Sequence, residues 1–511
     1  MRHVAENHAE NQMDGPPVPA GISGLDDILR GGFPPGCLYL ISGTPGAGKT
    51  TLAMQFLMEG ARQGGRSLYV TLSESRREID KVARSHGWDL SGVHVAELIP
   101  SEGNLDGDSM LTVFNPSELE LNETTEAMIA AVKEFNPDRV VIDSLSELRL
   151  VAQNSLRYRR QILALKQFFA SRDCTVLMLD DGTSQAGDGQ VESIAHGVVS
   201  LEQLANQYGA ERRRMRVVKM RGVPFRGGYH DFVIRRGGLD IFPRLVAAEH
   251  RTEPPDHDLP SGNVGLDALL CGGLPVGTST LLLGPAGTGK STIATQFATS
   301  AAARGQRTAM YVFDENIGTF RSRSRKLGIP VEAHIETGLL TIMQIDPAEL
   351  SSGEFAATVR RAVDGTDGAA IRASVIVIDS LNGYLNAMPE EKFLTAQMHE
   401  LLAYLGQCGV VTLMSVTQSG MVGSMASPVD TTYLADNVIL FRFFEARGRV
   451  RRAISVVKKR SGRHELTIRE LSVSDAGITI GDPLEQFQGI LTGVPTFVGS
   501  AALLPGSGVS G

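Results

Sequence analysis

Gly43-Thr44-Pro45-Gly46-Ala47-Gly48-Lys49-Thr50, with Thr51 behind it, fits the phosphate-loop pattern GxxxxGK[ST] at every fixed position. It follows the apolar run Leu38–Ser42 and opens a helical pattern over Thr50–Arg62, the strand-to-helix setting in which the motif has physical meaning. Glycines let the backbone curl so that its N–H groups face phosphate oxygens, and the helix N-terminus adds partial positive charge. In that arrangement Lys49 reaches the β- and γ-phosphates of ATP and Thr50 ligates Mg²⁺. The plain structural alternative is a glycine-rich turn before a helix.

The motif occurs twice. It returns 241 residues later as Gly284-Pro285-Ala286-Gly287-Thr288-Gly289-Lys290-Ser291, followed by Thr292, which assigns Lys290 and Ser291 the roles of Lys49 and Thr50. Working outward, the lead-in Pro19–Gly36 recurs at the same offset as Pro260–Gly277. Val140–Ser146 (VVIDSLS) answers Val375–Asn382 (VIVIDSLN), and VVKMRG around Lys219 answers VVKKRS around Lys458. Four markers in one order at nearly one spacing mean that the chain holds two copies of one domain. The expected division is a disordered N-terminal extension (1–17), a first repeat (18–246), a polar, proline-containing linker (247–258), a second repeat (259–495) and a flexible C-terminal tail (496–511).

Within the first copy, Leu38–Ser42, Ser67–Thr71, Val140–Asp143 and Thr175–Leu179 read as buried strands. Helical patterns over Thr50–Arg62, Asn122–Glu134 and Tyr158–Ser171 lie between them. Strands alternating with helices, with continuously apolar strands, predict an α/β fold with a mainly parallel sheet covered on both faces.

Asp143 and Asp379 each end an apolar run before Ser-Leu. A carboxylate at the C-terminal end of such a strand lies beside the nucleotide crevice, where it would hold Mg²⁺; capping a loop is the alternative. A base for the attacking water or hydroxyl must come from elsewhere. Leu72-Ser73-Glu74-Ser75 and Phe313-Asp314-Glu315-Asn316 follow the strand after each phosphate-loop helix, so Glu74, Asp314 and Glu315 are the candidates. An ordinary helix N-terminus with acidic residues in its first turn would look similar.

The bulk properties narrow the function class. A chain of 511 residues, 42% hydrophobic and 21% charged, is ordinary for a globular protein of several domains. Its apolar runs, such as Val375–Ile378, fall far short of the roughly 20 residues a membrane span needs. The first residues have no apolar core of the kind a signal peptide carries. Cys37, Cys174, Cys271 and Cys408 are widely separated, which argues against disulfides and zinc and suits a reducing cytoplasm. A net charge of −8 argues against nucleic acid as partner.

Together the lead-ins, both phosphate loops, both IDS segments and both KxR segments resemble KaiC and the wider group of KaiC-like circadian-clock proteins, over roughly Pro19 to Pro495. The resemblance implies two tandem RecA-like P-loop NTPase domains that hydrolyse ATP with Mg²⁺, assembled as a homohexamer with ATP between neighbouring subunits. It implies that Lys219 and Arg221, and Lys458 and Arg460, act on a neighbour's phosphates. Cations supplied in this way are worth about 10³–10⁵ in rate in other NTPases. A Glu-Glu pair is the family pattern at the base; this chain has Ser73-Glu74 and Asp314-Glu315, so Glu74 stands alone in the first repeat. The resemblance also implies autophosphorylation in the second repeat. Aligned on Asp436, Thr432 takes the family's serine position and Tyr433 its threonine position, making Thr432 the expected phosphoacceptor. Unidentified regulatory signalling proteins complete the implied partners. Two other function classes stay open: an ATP-gated signalling scaffold with slow hydrolysis, and a DNA-dependent recombinase on the same fold.

Overall fold

The computed structural model describes residues 15–98, 116–182, 190–205, 209–250, 256–386, 394–418, 433–446, 448–475, 477–491 and 496–498. The chain divides into two compact units, Met1–Arg244 and Leu245–Gly511.

The first unit is built on nine strands: β1 (Leu38–Gly43), β2 (Ser67–Thr71), β3 (Val93–Glu97), β4 (Arg139–Asp143), β5 (Thr175–Asp180), β6 (Gly197–Leu204), β7 (Arg212–Met220), β8 (His230–Arg235) and β9 (Gly238–Phe242). They pair in the order β3-β2-β4-β5-β1-β6-β7-β8-β9. The strands from β3 across to β6 are parallel, and β7, β8 and β9 extend the sheet antiparallel. In the second unit, a short pair, β10 (Asp258–Leu259) and β11 (Leu274–Pro275), precedes a second nine-stranded sheet. Its strands are β12 (Ser279–Gly284), β13 (Arg307–Val312), β14 (Leu340–Gln344), β15 (Ala373–Asp379), β16 (Val411–Thr417), β17 (Asn437–Ala446), β18 (Arg449–Lys459), β19 (Arg469–Ser474) and β20 (Gly477–Pro483). The order β14-β13-β15-β16-β12-β17-β18-β19-β20 repeats the first sheet strand for strand.

Alternation along each strand explains the layers, because successive side chains point to opposite faces. Tyr39 and Ile41 of β1 enter one core with Leu52 and Phe56 of the helix Lys49–Arg62. Leu38 and Leu40 enter the other with Ile162 and Leu165 of the helix Ser155–Ala170. In β12, Leu281 and Leu283 face one way and Leu282 the other. A strand with two buried faces has no solvent side, which is why these runs are mostly apolar.

The repeated lead-in has a mechanical role. Asp26 accepts from the Ala20 amide at 2.6 Å, and Asp267, 241 residues on, accepts from the Ser261 amide at 2.7 Å. Each carboxylate pins the loop that runs into the short helix, Ser23–Ile28 or Val264–Leu269. Of the expected tail, residues 499–511 lie outside the described residues, and Thr496–Phe497 pairs with Phe487–Gln488.

Candidate functional site

In each repeat the phosphate loop leaves the C-terminal end of the central strand and winds into a 14-residue helix, Lys49–Arg62 or Lys290–Ala303. The glycines are steric requirements. A Cβ on Gly43 would meet the Leu201 carbonyl at 2.5 Å, and one on Gly284 the Phe441 carbonyl at 2.5 Å. Gly48 and Gly289, at φ 102° and 104°, hold the left-handed conformation that starts the helix and that side chains rarely adopt.

Lys49 is 7% exposed; its Nζ donates to the Gly43 and Thr44 carbonyls at 2.8 and 3.1 Å and lies 2.9 Å from Asp181 Oδ1. Lys290 Nζ donates to the Gly284 and Pro285 carbonyls at 2.9 and 2.7 Å. Burial lowers its pKa to about 8, with the Asp379 charge opposing the change. Asp143 ends β4, and its Oδ2 accepts from Thr50 Oγ1 at 3.0 Å and from the Tyr69 hydroxyl at 2.5 Å. Burial raises the Asp143 pKa, while Tyr69, Thr50 and Lys49 hold it down. The hydroxyl and carboxylate expected to share Mg²⁺ therefore touch, and both are hard oxygen donors of the kind that cation takes. Asp379 ends β15 and accepts from Ser415 of β16, a residue of the adjacent strand. Both aspartates precede a cis peptide bond, Asp143-Ser144 and Asp379-Ser380.

The base candidates sit before helix caps, not inside first turns. Ser75 caps the helix Arg76–His86 in a capping box with Glu78, and Asn316 caps Ile317–Lys326. Glu74 and Glu315 are each one residue too early to cap. Glu74 Oε2 is buried without a hydrogen-bond partner, and burial, then Asp143 and Glu78, raise its pKa. Burial also raises Glu315, against the Arg323 guanidinium 2.8 Å away, with Asp379 adding to the rise. Asp314 accepts from Ser380.

The KxR segments lie elsewhere. Lys219 pairs with Val198 near the start of β6, beside the start of β1, whereas the phosphate loop leaves the far end of β1. Val198 lies opposite Leu40, so the rise from Leu40 to Gly43, about 10 Å, separates the two levels. Lys219 Nζ donates to the Glu192 carbonyl at 2.6 Å, and Arg221 Nη2 to the Ser193 carbonyl at 2.9 Å. Lys458 is placed likewise opposite Val438, with its Nζ 2.7 Å from the Ala435 carbonyl; Arg460 pairs with Asp436 at 3.0 Å. Each segment thus sits at the opposite sheet edge from its own phosphate loop. Thr432 lies outside the described residues. Its neighbour Tyr433 is 55% exposed at that same edge, just before Asp436, whose Oδ2 accepts from the Ser279 amide at 3.0 Å.

Sequence reasoning missed Tyr69, Ser415 and Asp181. A tyrosine or serine inside an otherwise apolar buried strand was the available signal for the first two. Asp181 follows β5 and is brought to Lys49 only by strand pairing.

The comparison with protein families matches the KaiC ATPase model at residues 18–246 and again at 259–485. Among relatives, the chain is 29% identical to the circadian clock oscillator protein KaiC of Picosynechococcus sp., over 93% of this chain and 91% of that protein. It is 28% identical to KaiC of Synechococcus elongatus, covering 93% and 91%, and 27% identical to that of Acaryochloris marina, covering 96% and 93%. With both sheets, both phosphate loops and the match over both repeats in agreement, the chain belongs to the KaiC family of ATPases.

Proposed function

We propose that both repeats bind and hydrolyse ATP, that the second also transfers phosphate to Thr432, and that the chain acts as a cytoplasmic homohexamer in clock-like signalling. The observation that carries this is the duplicated arrangement: a glycine-shaped loop, a lysine, a hydroxyl, a strand-end aspartate and a glutamate just before a helix cap, in the same strand order twice.

The loop from Gly43 to Thr51, and its counterpart from Gly284 to Thr292, wraps the phosphates, with Lys49 and Lys290 turning from their carbonyls to the β- and γ-phosphates. Thr50 with Asp143, and Ser291 with Asp379, hold Mg²⁺, which when bound neutralises charge on the phosphate oxygens. Glu74 and Glu315 take the proton from water, or in the second repeat from the Thr432 hydroxyl, with Asp314 beside Glu315. A raised carboxylate pKa suits a base working near neutral pH. Lys219, Arg221, Lys458 and Arg460, at the far sheet edge from their own loop, serve the crevice of the neighbouring subunit. Tyr433 and Asp436 share that edge with Arg460, so the acceptor stretch also meets a neighbour's nucleotide. Head-to-tail contacts of this kind close into a ring when the rotation between neighbours closes.

The test is to incubate the protein and its Thr432→Ala variant with Mg²⁺ and γ-labelled ATP, following label into free phosphate and into protein. Protein label that disappears in the variant is the expected result. Free phosphate with no protein label would remove the autokinase and leave an ATP-gated scaffold. The Lys49–Asp181 ion pair and the lone Glu74 favour slow hydrolysis at the first repeat, the feature the scaffold reading shares.

A further inference from the structure

The two repeats agree at the phosphate loop yet differ in what surrounds its lysine. Strand register equates Asp180 and Asp181 with Val416 and Thr417, since Ser42 lies opposite Asp180 and Leu283 opposite Val416. The helix after each strand-end aspartate equates Ser146 and Arg149 with Asn382 and Leu385.

In the first repeat these positions form a charged set. Ser146 Oγ donates to Asp181 Oδ2 at 2.9 Å and accepts from the Asp181 amide at 3.3 Å, while Asp181 Oδ1 lies 2.9 Å from Lys49 Nζ. Arg149 Nη2 holds the preceding Asp180 at 2.7 Å. Burial raises the Asp181 pKa, but the bonds from Lys49 and Ser146 outweigh it and leave the carboxyl below its ordinary range, so it is ionised near neutral pH.

In the second repeat the four equivalent positions, Val416, Thr417, Asn382 and Leu385, carry no charge. Asn382 clamps the Thr417 backbone from both sides, donating to its carbonyl at 3.0 Å and accepting from its amide at 2.6 Å. Lys290 Nζ keeps only the two loop carbonyls as partners among the described residues. Both lysines share the carbonyl contacts, so the carboxylate is what distinguishes Lys49.

We propose that Asp181 is a specificity-determining residue of the first nucleotide site: a built-in carboxylate, aimed by Ser146, that competes with the triphosphate for Lys49. The proposal rests on the phosphate loops being nucleotide sites. An ammonium that must leave a carboxylate gives up part of its attraction to phosphate, and the carboxylate left behind repels the incoming charge. The first repeat therefore binds ATP more weakly than the second. The penalty is greater for ATP than for ADP, because the γ-phosphate brings further negative charge beside Asp181. Two copies of one loop thus respond at different ATP concentrations.

The test measures fluorescent ATP and ADP binding to the full chain carrying Lys290→Ala, which silences the second loop, with and without Asp181→Thr or Asp181→Asn. Both substitutions are expected to tighten ATP binding by about tenfold or more, the order expected from removing one like charge close to the phosphates. ADP should gain less, and the gain should shrink as salt rises. The reciprocal Thr417→Asp change, in a Lys49→Ala background, is expected to weaken ATP binding at the second site, which keeps the proposal testable if the Asp181 variants fold poorly. Unchanged or weaker ATP binding in folded Asp181 variants would overturn the competition. No ATP binding with or without the substitution would sink the nucleotide-site assignment itself, and the proposal with it.

Discussion

His230 links pH to the stability of the first repeat. It is 1% exposed at the start of β8, and both ring nitrogens are engaged. Nδ1 accepts from the Arg244 amide at 2.8 Å, which puts the proton on Nε2, 3.0 Å from the Arg226 carbonyl. A second proton would have to enter on Nδ1, against an N–H that already points at it. Burial lowers the pKa from 6.5 to about 4; the Arg226 carbonyl opposes this and the Arg226 and Arg244 charges add to it. The folded state thus binds the proton less readily than the unfolded chain. Stability is fully present above about pH 6.5 and is lost as pH falls towards 4. At 1.36 kcal/mol per pKa unit the whole effect is about 3 kcal/mol, and about 2 kcal/mol is gone by about pH 5. Trp88, the sole tryptophan, reports on this unit: its Nε1 donates to the Gly237 carbonyl at 3.1 Å, between β8 and β9. Urea unfolding followed by Trp88 fluorescence at pH 7.5 and 5.0 gives the difference, with His230→Gln as comparison. The variant starts from lower stability but should lose about 2 kcal/mol less than wild type between the two pH values. Equal losses in the two proteins would refute the assignment.

Glu315→Gln in a Lys49→Ala background, and Glu74→Gln in a Lys290→Ala background, should each cut the remaining ATP hydrolysis by about 10²–10⁴. Phosphate-release rates, with nucleotide binding measured alongside, check both, and binding should survive. Arg460→Ala should lower hydrolysis at the second site without losing nucleotide. Mixing that variant with a Glu315→Gln chain should restore some activity if Arg460 serves a neighbour's crevice.

Much of this architecture was legible in the sequence because it rests on local rules. The apolar runs Leu38–Ser42 and Val140–Asp143 appear as β1 and β4 because parallel strands buried on two faces favour apolar side chains on both. The helix expected from Asn122 reaches back to Pro116 among the described residues. The antiparallel extension β7–β9 was not foreseen; runs such as Arg212–Met220 are rich in arginine, and their strand character comes from pairing with a neighbour. In the candidate site, motif spacing is what singles out the lysines, hydroxyls and aspartates as candidates. Spacing could not show that Tyr69 holds Asp143 or that Asp181 holds Lys49, because those contacts join strands far apart in sequence. Nor could it show that Ser75 and Asn316, not Glu74 and Glu315, take the helix caps.

The central claim, two working nucleotide sites in one duplicated chain, is tested most directly by counting nucleotide bound per chain at saturating Mg-ATP. The account predicts two in the wild type, one in Lys49→Ala or Lys290→Ala, and none when both lysines are replaced. A single nucleotide in the wild type, or nucleotide retained after both replacements, would contradict it.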